Sequence, residues 1–304
     1  MTGHAGAGRR LGSLIRALIA RFPAVRSVVK NGAAQYQIQT LRALTVLRGR
    51  GRFLARQLRG RRSGVYELRD SGLKVHVRHG TGDVAILTKI FARDHARNSY
   101  EPPAEVAAAL AEVPAPKILD VGANVGMFGV FALTRWPGAR ITGFEPDPDN
   151  FHALSQTVAA NDVDGRWKVV PAAVSNAPGE LRFVPGLRAE AHLAGGHETD
   201  TISVPALDLF EQINGGVDLI KMDIEGGEWE ILADPRLTDL DAKAIRLEWH
   251  TLHCPDSDAR EAAMRLLRAG GFRVFDASHE HESNGVVWAW RAPGAPEIQA
   301  TASR

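Results

Sequence analysis

One strand and the turn that follows it constrain this chain more than any other feature. Lys117-Ile118-Leu119-Asp120-Val121 reads as an apolar strand running directly into Gly122-Ala123-Asn124-Val125-Gly126, after which Met127, Phe128, Val130, Phe131 and Leu133 recur at helical spacing. Strand, glycine turn and helix in that order make a cradle at the carboxyl edge of a parallel sheet, with the helix N-terminus facing whatever binds there. Gly122 permits the tight turn, and Gly126 permits close approach of a ligand or of helix to strand. The dinucleotide pattern Gly-x-Gly-x-x-Gly is broken, because Asn124 replaces the middle glycine and the third arrives one residue early. A pyrophosphate would lack its bare backbone approach, so the turn suits a ligand without phosphates.

Apolar strands alternate with helices on both sides of this unit. Strands are expected at 117–121, 139–144, 167–170, 217–222, 243–248, 272–275 and 286–290, with helices at 125–135, 148–161, 227–232 and 256–269. That alternation predicts an α/β fold with a mostly parallel sheet wound on both faces. The last two strands follow one another directly and suit an antiparallel edge. Upstream, strands at 65–69 and 73–78 flank the hairpin signal Asp70-Ser71-Gly72, and helices are expected at 84–91 and 103–113. The domain reading is a basic helical arm (1–62), a hairpin with helices leading in (63–116), the main α/β domain (117–292) and a flexible tail (293–304).

Charge separates the arm from the body. Residues 1–66 hold fourteen Lys/Arg and no acid, which leaves 23 bases against all 35 acids for the rest, although the net charge is only +2. Leu11, Leu14, Ile15, Leu18, Ile19 and Phe22, with Arg9, Arg10, Arg16 and Arg21 between them, form an amphipathic basic helix ended by Pro23. A second helical pattern runs over 37–58, loosened by Gly49 and Gly51. Three readings of the arm stand: docking onto the acidic body, peripheral contact with an anionic membrane, and nucleic-acid contact, the last disfavoured by the lack of interleaved aromatics. Arg9-Arg10 before an apolar run hints at an export signal, but Arg16 splits the run and no small-residue cleavage site follows. The longest uncharged stretch, 121–134, is too short and glycine-broken for a membrane-spanning helix. Cys254, the single cysteine, excludes an internal disulfide and a Cys-x-x-Cys zinc site. The expected location is the cytoplasm, with or without attachment to the inner face of the membrane.

Glu145 ends the second strand, 25 residues beyond Asp120, where an acid accepts two hydrogen bonds from the ribose hydroxyls of an adenosine. The competing reading, an acid at the N-terminus of the helix beginning at Pro148, explains the residue but not its spacing from the glycine turn. Asp120 and Asn124, near the first turn, can meet an amino-acid ammonium. Adenosine at one end and an ammonium at the other specify S-adenosylmethionine as the cofactor.

On these residues the sequence resembles the FkbM family of S-adenosylmethionine-dependent methyltransferases. The matching blocks are 120–126, Phe144-Glu145-Pro146-Asp147 with Phe151, Leu154 and Asn161, Ala172 to Ser175 with Gly179, Leu207-Asp208, 219–228, Leu247-Glu248-Trp249-His250 and Gly271-Phe272. The most specific is Lys221-Met222-Asp223-Ile224-Glu225-Gly226. The resemblance covers about 87–287 and leaves the arm outside. It implies a class I methyltransferase sheet, Rossmann-like and seven-stranded, and methyl transfer to a hydroxyl of a natural product, sugar or similar small molecule. It also places Gly122, Gly126 and Pro146 beside Asp120, Asn124 and Glu145 in the cofactor site. One departure is Val170-Pro171-Ala172-Ala173, which offers only backbone where many class I enzymes carry an adenine-binding Asp or Asn.

Methyl transfer to oxygen is an in-line displacement at a sulfonium, and the hydroxyl must also lose its proton. Asp223 and Glu225 end the fourth strand and, if the strand continues, share a face two residues apart. Their repulsion could raise one pKa and make it a base, or Lys221 or a divalent cation could neutralise them. No distinctive metal-ligand set is legible. His250, two residues beyond Glu248, is the second base candidate because its unperturbed pKa lies near neutrality. Tyr100, Glu101 and the 187–200 loop, with His192 and His197, are expected to shape the acceptor pocket. Base methylation is disfavoured by the absence of an Asp/Asn-Pro-Pro-Tyr block and of a Pro-Cys nucleophile. Ribose methylation of nucleic acid, an NAD-dependent oxidoreductase on the same sheet and a non-catalytic cofactor-binding module remain the alternatives.

Overall fold

The computed structural model describes residues 32–60, 63–92, 98–163, 165–185, 192–193, 201–213, 215–278 and 284–291. The amphipathic helix expected at 11–22, most of the 187–200 loop and the tail from 293 lie outside them. The chain forms two compact units that divide between Asn98 and Ser99, and not at residues 62 and 116.

In the first unit, α1 (Gly32–Val46) and α2 (Arg50–Arg59) precede the antiparallel hairpin β1 (Ser63–Glu67) and β2 (Lys74–Arg78), followed by α3 (Asp83–Phe91). The single helical pattern expected over 37–58 is two helices: the first stops at Val46, and Gly49, at the left-handed φ of +70, stands at the N-cap of the second. Leu41, Leu54 and Leu58, expected on its apolar face, are exposed once the helix turns. The core is Leu47, Phe53, Tyr66, Leu68, Val75, Val77, Val84, Leu87 and Ile90. Leu47 bridges to Leu68, which explains why the described part of the arm belongs with the hairpin. His79 joins Tyr66 Oη (2.6 Å) and Gln57 Oε1 (2.5 Å); burial and then Arg56 lower its pKa to about 4.

The second unit begins with α4 (Ala104–Ala111) and then follows the predicted alternation: β3 (Lys117–Val121), α5 (Met127–Arg135), β4 (Arg140–Phe144), α6 (Pro148–Asn161) and β5 (Trp167–Val170). A stretch in which no strands were expected supplies β6 (Ala173–Ser175), β7 (Gly179–Val184), β8 (His192–Leu193) and β9 (Ile202–Asp208). These pair as a separate four-stranded sheet in the order β6-β9-β7-β8. After α7 (Leu209–Gln212) come β10 (Val217–Met222), α8 (Glu228–Ala233), β11 (Ala242–His250), α9 (Ala259–Ala269), β12 (Arg273–Asp276) and β13 (Asn284–Trp290).

The main sheet has the order β12-β13-β11-β10-β3-β4-β5. Pairings from β5 to β11 are parallel, while β13 runs antiparallel to both β11 and β12 and closes that side as the sequence pattern suggested. Numbered within this sheet the order is 3-2-1-4-5-7-6, a class I methyltransferase arrangement in an α/β fold. Order reverses between β3 and β10, so the crevice at their carboxyl ends is the topological switch point where open α/β sheets bind ligands. β10 is buried along its whole length and β3 along all but its first residue, which accounts for their mostly apolar sequence and leaves Asp120, Asp218 and Lys221 as buried charges within it. No helix among the described residues is long and apolar enough to cross a membrane.

Candidate active site

Parallel register places Asp120, Lys221 and Arg246 side by side on β3, β10 and β11. Their neighbours Val121, Met222 and Leu247 point the other way, into the apolar cluster beneath the sheet, because successive strand side chains alternate. Two residues on, Asp223 and Glu248 fall on the charged face, and His250 follows. Lys221 Nζ stands 3.4 Å from Asp120 Oδ1 and 3.8 Å from Asp223 Oδ2, and donates to Gly122 O at 2.5 Å. Burial disfavours this ammonium, yet Asp120 and Asp223 outweigh it and hold its pKa above the usual value. Burial pushes the Asp120 carboxyl up, against the pull of Lys221. The ammonium beside Asp120 is therefore the chain's own. Asp120 is 0% exposed, so its expected contact with a ligand's ammonium gives way to a contact that anchors the turn. Arg246, also fully buried, lies 3.8 Å over the Tyr100 ring and 3.2 Å from Glu248 Oε2. Tyr100 is thereby a buried stacking residue, and Glu101 faces Arg135 at 3.7 Å.

The glycine turn is shaped by the chain as much as for a ligand. Gly122 has φ +78, and a Cβ there would meet Asp223 O at 1.9 Å. Gly126 has φ +84, and its Cβ would press on Leu154 and Trp167, so its bareness serves the packing of α5. Asn124, at φ +50, donates its backbone N–H to Glu145 Oε2 at 2.7 Å. Its side-chain Oδ1 is buried with no hydrogen-bond partner. Glu145 Oε1 accepts from Asp147 N at 3.0 Å and Asn150 Nδ2 at 3.4 Å. The N-cap of α6 is Asp147, which accepts from the N–H groups of Asp149 and Asn150, both at 2.9 Å. Glu145 is thus not consumed in capping that helix, and half-buried Pro146 separates it from the cap. Burial raises the Glu145 pKa to about 7 in spite of its three donors.

The fourth-strand acids do not continue the strand. β10 stops at Met222, and Glu225 adopts φ +52, a left-handed conformation costly for a side chain of this kind. The resulting turn brings Glu225 Oε2 to 3.3 Å and Asp223 Oδ1 to 3.7 Å from His250 Nε2. Glu228 braces the arrangement from below. Its Oε1 accepts from His250 N at 2.7 Å and faces His250 Nδ1 at 3.1 Å, while Oε2 accepts from Gly226 N at 2.8 Å. Glu228 is 0% exposed. The sequence pattern assigns Glu228 no role; a third acid within six residues of Asp223 is the signal that points to it. Burial raises Glu225 to about 7, with His250 opposing. For His250, burial acts downward, but the Glu228 hydrogen bond and then Asp223, Glu228 and Glu225 lift its pKa to about 9. An imidazole so placed is protonated at neutral pH, which corrects the expectation of a base poised near neutrality.

Residues 120–274 match the family model described as the methyltransferase FkbM domain, about half of the chain. The 31-O-demethyl-FK506 methyltransferase FkbM of Streptomyces tacrolimicus is 30% identical over 197 residues, covering 53% of this chain and 74% of that protein. The methyltransferase sdnD of Sordaria araneosa is 30% identical over 160 residues, covering 40% of this chain; the chain spans 62% of sdnD's length. Among solved structures, the precorrin-6y C5,15-methyltransferase of Geobacter metallireducens matches at 15% identity with a TM-score of 0.38, covering 62% of this chain and 87% of that one. Sheet order, glycine turn and matched residues come together in one statement: the chain belongs to the FkbM family of methyltransferases.

Proposed function

We propose that this chain transfers the methyl group of S-adenosylmethionine to a hydroxyl oxygen of a small molecule. The observation that carries the reading is the contact between the glycine turn and the fourth-strand loop, where only a missing Cβ lets Gly122 meet Asp223 O. That contact sets the glycine turn and a cluster of acids and imidazole side by side at one sheet edge. The residues of the cradle fit the cofactor. Glu145 keeps acceptor capacity on Oε2, which takes a single donor, and offers it to ribose hydroxyls; Asn124 Oδ1, buried and unsatisfied, is an acceptor for the ammonium. Gly122, Gly126 and Pro146 shape the backbone between them, and Asp120 secures the turn through Lys221.

The cofactor supplies a methyl carbon activated by a sulfonium. The protein's task is alignment, a contribution that reaches roughly 7–11 kcal/mol in well-oriented systems, and disposal of the hydroxyl proton. Asp223 and Glu225 are placed for the second task, as carboxylates that favour loss of that proton, and His250 stands between them at 3.7 Å and 3.3 Å. A hydroxyl acceptor is supported by the name of the relative FkbM, a methyltransferase for a 31-O-demethyl compound. Calorimetric titration with S-adenosylhomocysteine and with NAD, followed by transfer of labelled methyl to a panel of hydroxyl compounds, tests the reading. Heat from NAD alone, or from neither ligand, refutes it; heat from S-adenosylhomocysteine without transfer to any acceptor leaves a binding module in its place.

A further inference from the structure

The acid and imidazole cluster has the composition of a cation site. Asp223, Glu225 and His250 each offer one ligand atom, and these atoms all lie within 4.8 Å of one another. Donors about 2.1 Å from a small divalent cation stand about 3 Å apart at right angles and about 4 Å apart across it. The 3.3 Å and 3.7 Å separations from His250 Nε2 fall in that interval. We propose that Asp223, Glu225 and His250 bind a small divalent cation of the Mn2+ class, an inference that rests on the methyltransferase reading of this same edge.

Two further observations support a cation beyond the grouping of acids. His250 is 6% exposed, and its Nε2 makes no hydrogen bond although it is aimed between two carboxylates. Its other ring nitrogen is held by Glu228 Oε1 at 3.1 Å. A carboxylate behind the imidazole is the arrangement that fixes the tautomer and orientation of a metal-ligating histidine. The cation takes the position that the Nε2 proton holds in its absence. Charge balance agrees: among the described residues the face sets Asp120, Asp223, Glu225, Glu228 and Glu248 against Lys221 and Arg246 as permanent cations. Lys221 does not compete for the site, since it approaches Asp223 through Oδ2 while Oδ1 faces His250.

Two carboxylate oxygens and one imidazole nitrogen leave coordination positions for solvent and for an acceptor hydroxyl. Such a hydroxyl gives up its proton to water more readily because the cation stabilises the oxyanion. The oxygen's electron pair then forms the O–CH3 bond as the C–S pair returns to sulfur.

The test uses the full chain stripped with chelator and titrated with Mn2+, with free ion followed by electron paramagnetic resonance and S-adenosylhomocysteine binding measured in parallel. One Mn2+ per chain is expected, with His250→Gln and Asp223→Asn each weakening it by about tenfold or more, and Glu228→Gln by about 10- to 100-fold. Spin-echo modulation from a coordinated imidazole nitrogen is expected in the Mn2+-loaded wild-type protein, which needs no variant to fold. No capture by the wild-type chain, equal capture by every variant, or a loaded protein without nitrogen modulation overturns the site. If S-adenosylhomocysteine binds while Mn2+ does not, the metal inference alone has failed; Mn2+ bound without the nucleoside strikes at the methyltransferase reading instead.

Discussion

Glu145 and Glu225 are both carboxyls pushed to about 7 by burial, yet they are built from different material. Around Glu145 the donors are two backbone N–H groups and one amide, all neutral. Around Glu225 the neighbours are ionisable: His250, Asp223, Glu248 and Glu228. A neutral cage holds its shape whether or not a ligand is present, and suits binding. A charged cluster changes its balance when a proton or cation arrives, and suits chemistry. On the proposed reading, the contrast separates the two tasks of a transferase by the type of donor as well as by strand.

The sharpest way to break the contrast is Asp223→Ala. Turnover should fall by about 10²–10⁴-fold, the range for loss of a group in proton transfer, while affinity for S-adenosylhomocysteine stays near wild type. A calorimetric affinity that collapsed with the rate would show the two regions to be one. Gly122→Ala should fail differently. The left-handed φ and the 1.9 Å approach to Asp223 O predict a stability loss of about 2–4 kcal/mol in urea unfolding, with binding and turnover declining together.

Glu145→Ala should raise the dissociation constant for S-adenosylhomocysteine by about 10- to 100-fold, the worth of hydrogen bonds to a charged acceptor, and leave the rate at saturating cofactor almost unchanged. The same carboxyl predicts a pH dependence. Ribose hydroxyls favour its ionised form, and a group titrating at about 7 goes from mostly ionised to mostly protonated as pH falls from 8 to 6. Affinity should drop by about tenfold over that interval, with proton release on binding seen as buffer-dependent heat. Asn124→Gly, which keeps the left-handed backbone and deletes Oδ1, should cost the least, about tenfold in affinity for one hydrogen bond from a charged ammonium.

The strands that carry the site were legible because β3 and β10 are buried almost throughout and run into a glycine and an acid. Lys117–Val121, Trp167–Val170 and Val217–Met222 fall where the apolar runs put them. The four-stranded sheet was not legible. β6 has three residues, and β9 carries Pro205, which argues against an interior strand. Pro205 is paired on one side, with Glu180 of β7, while β6 on the other side reaches only Ala206, Leu207 and Asp208. The acids at 223 and 225 were found from spacing, but their geometry was not. A period of two assumes an extended chain, and Glu225 leaves it at φ +52. Glu228 and the Asp120–Lys221 pair depend on cross-strand register and on a side chain reaching 22 residues ahead, which no local pattern encodes.

Glu228 grips the backbone of both Gly226 and His250 from a position closed to solvent. A descendant of this protein that acquired a new acceptor would have little freedom to re-aim its reacting groups, because any shift must carry β11 and the α8 entrance together. Diversity of acceptors within such a scaffold has to be written in the surrounding loops, while the chemical centre is inherited whole.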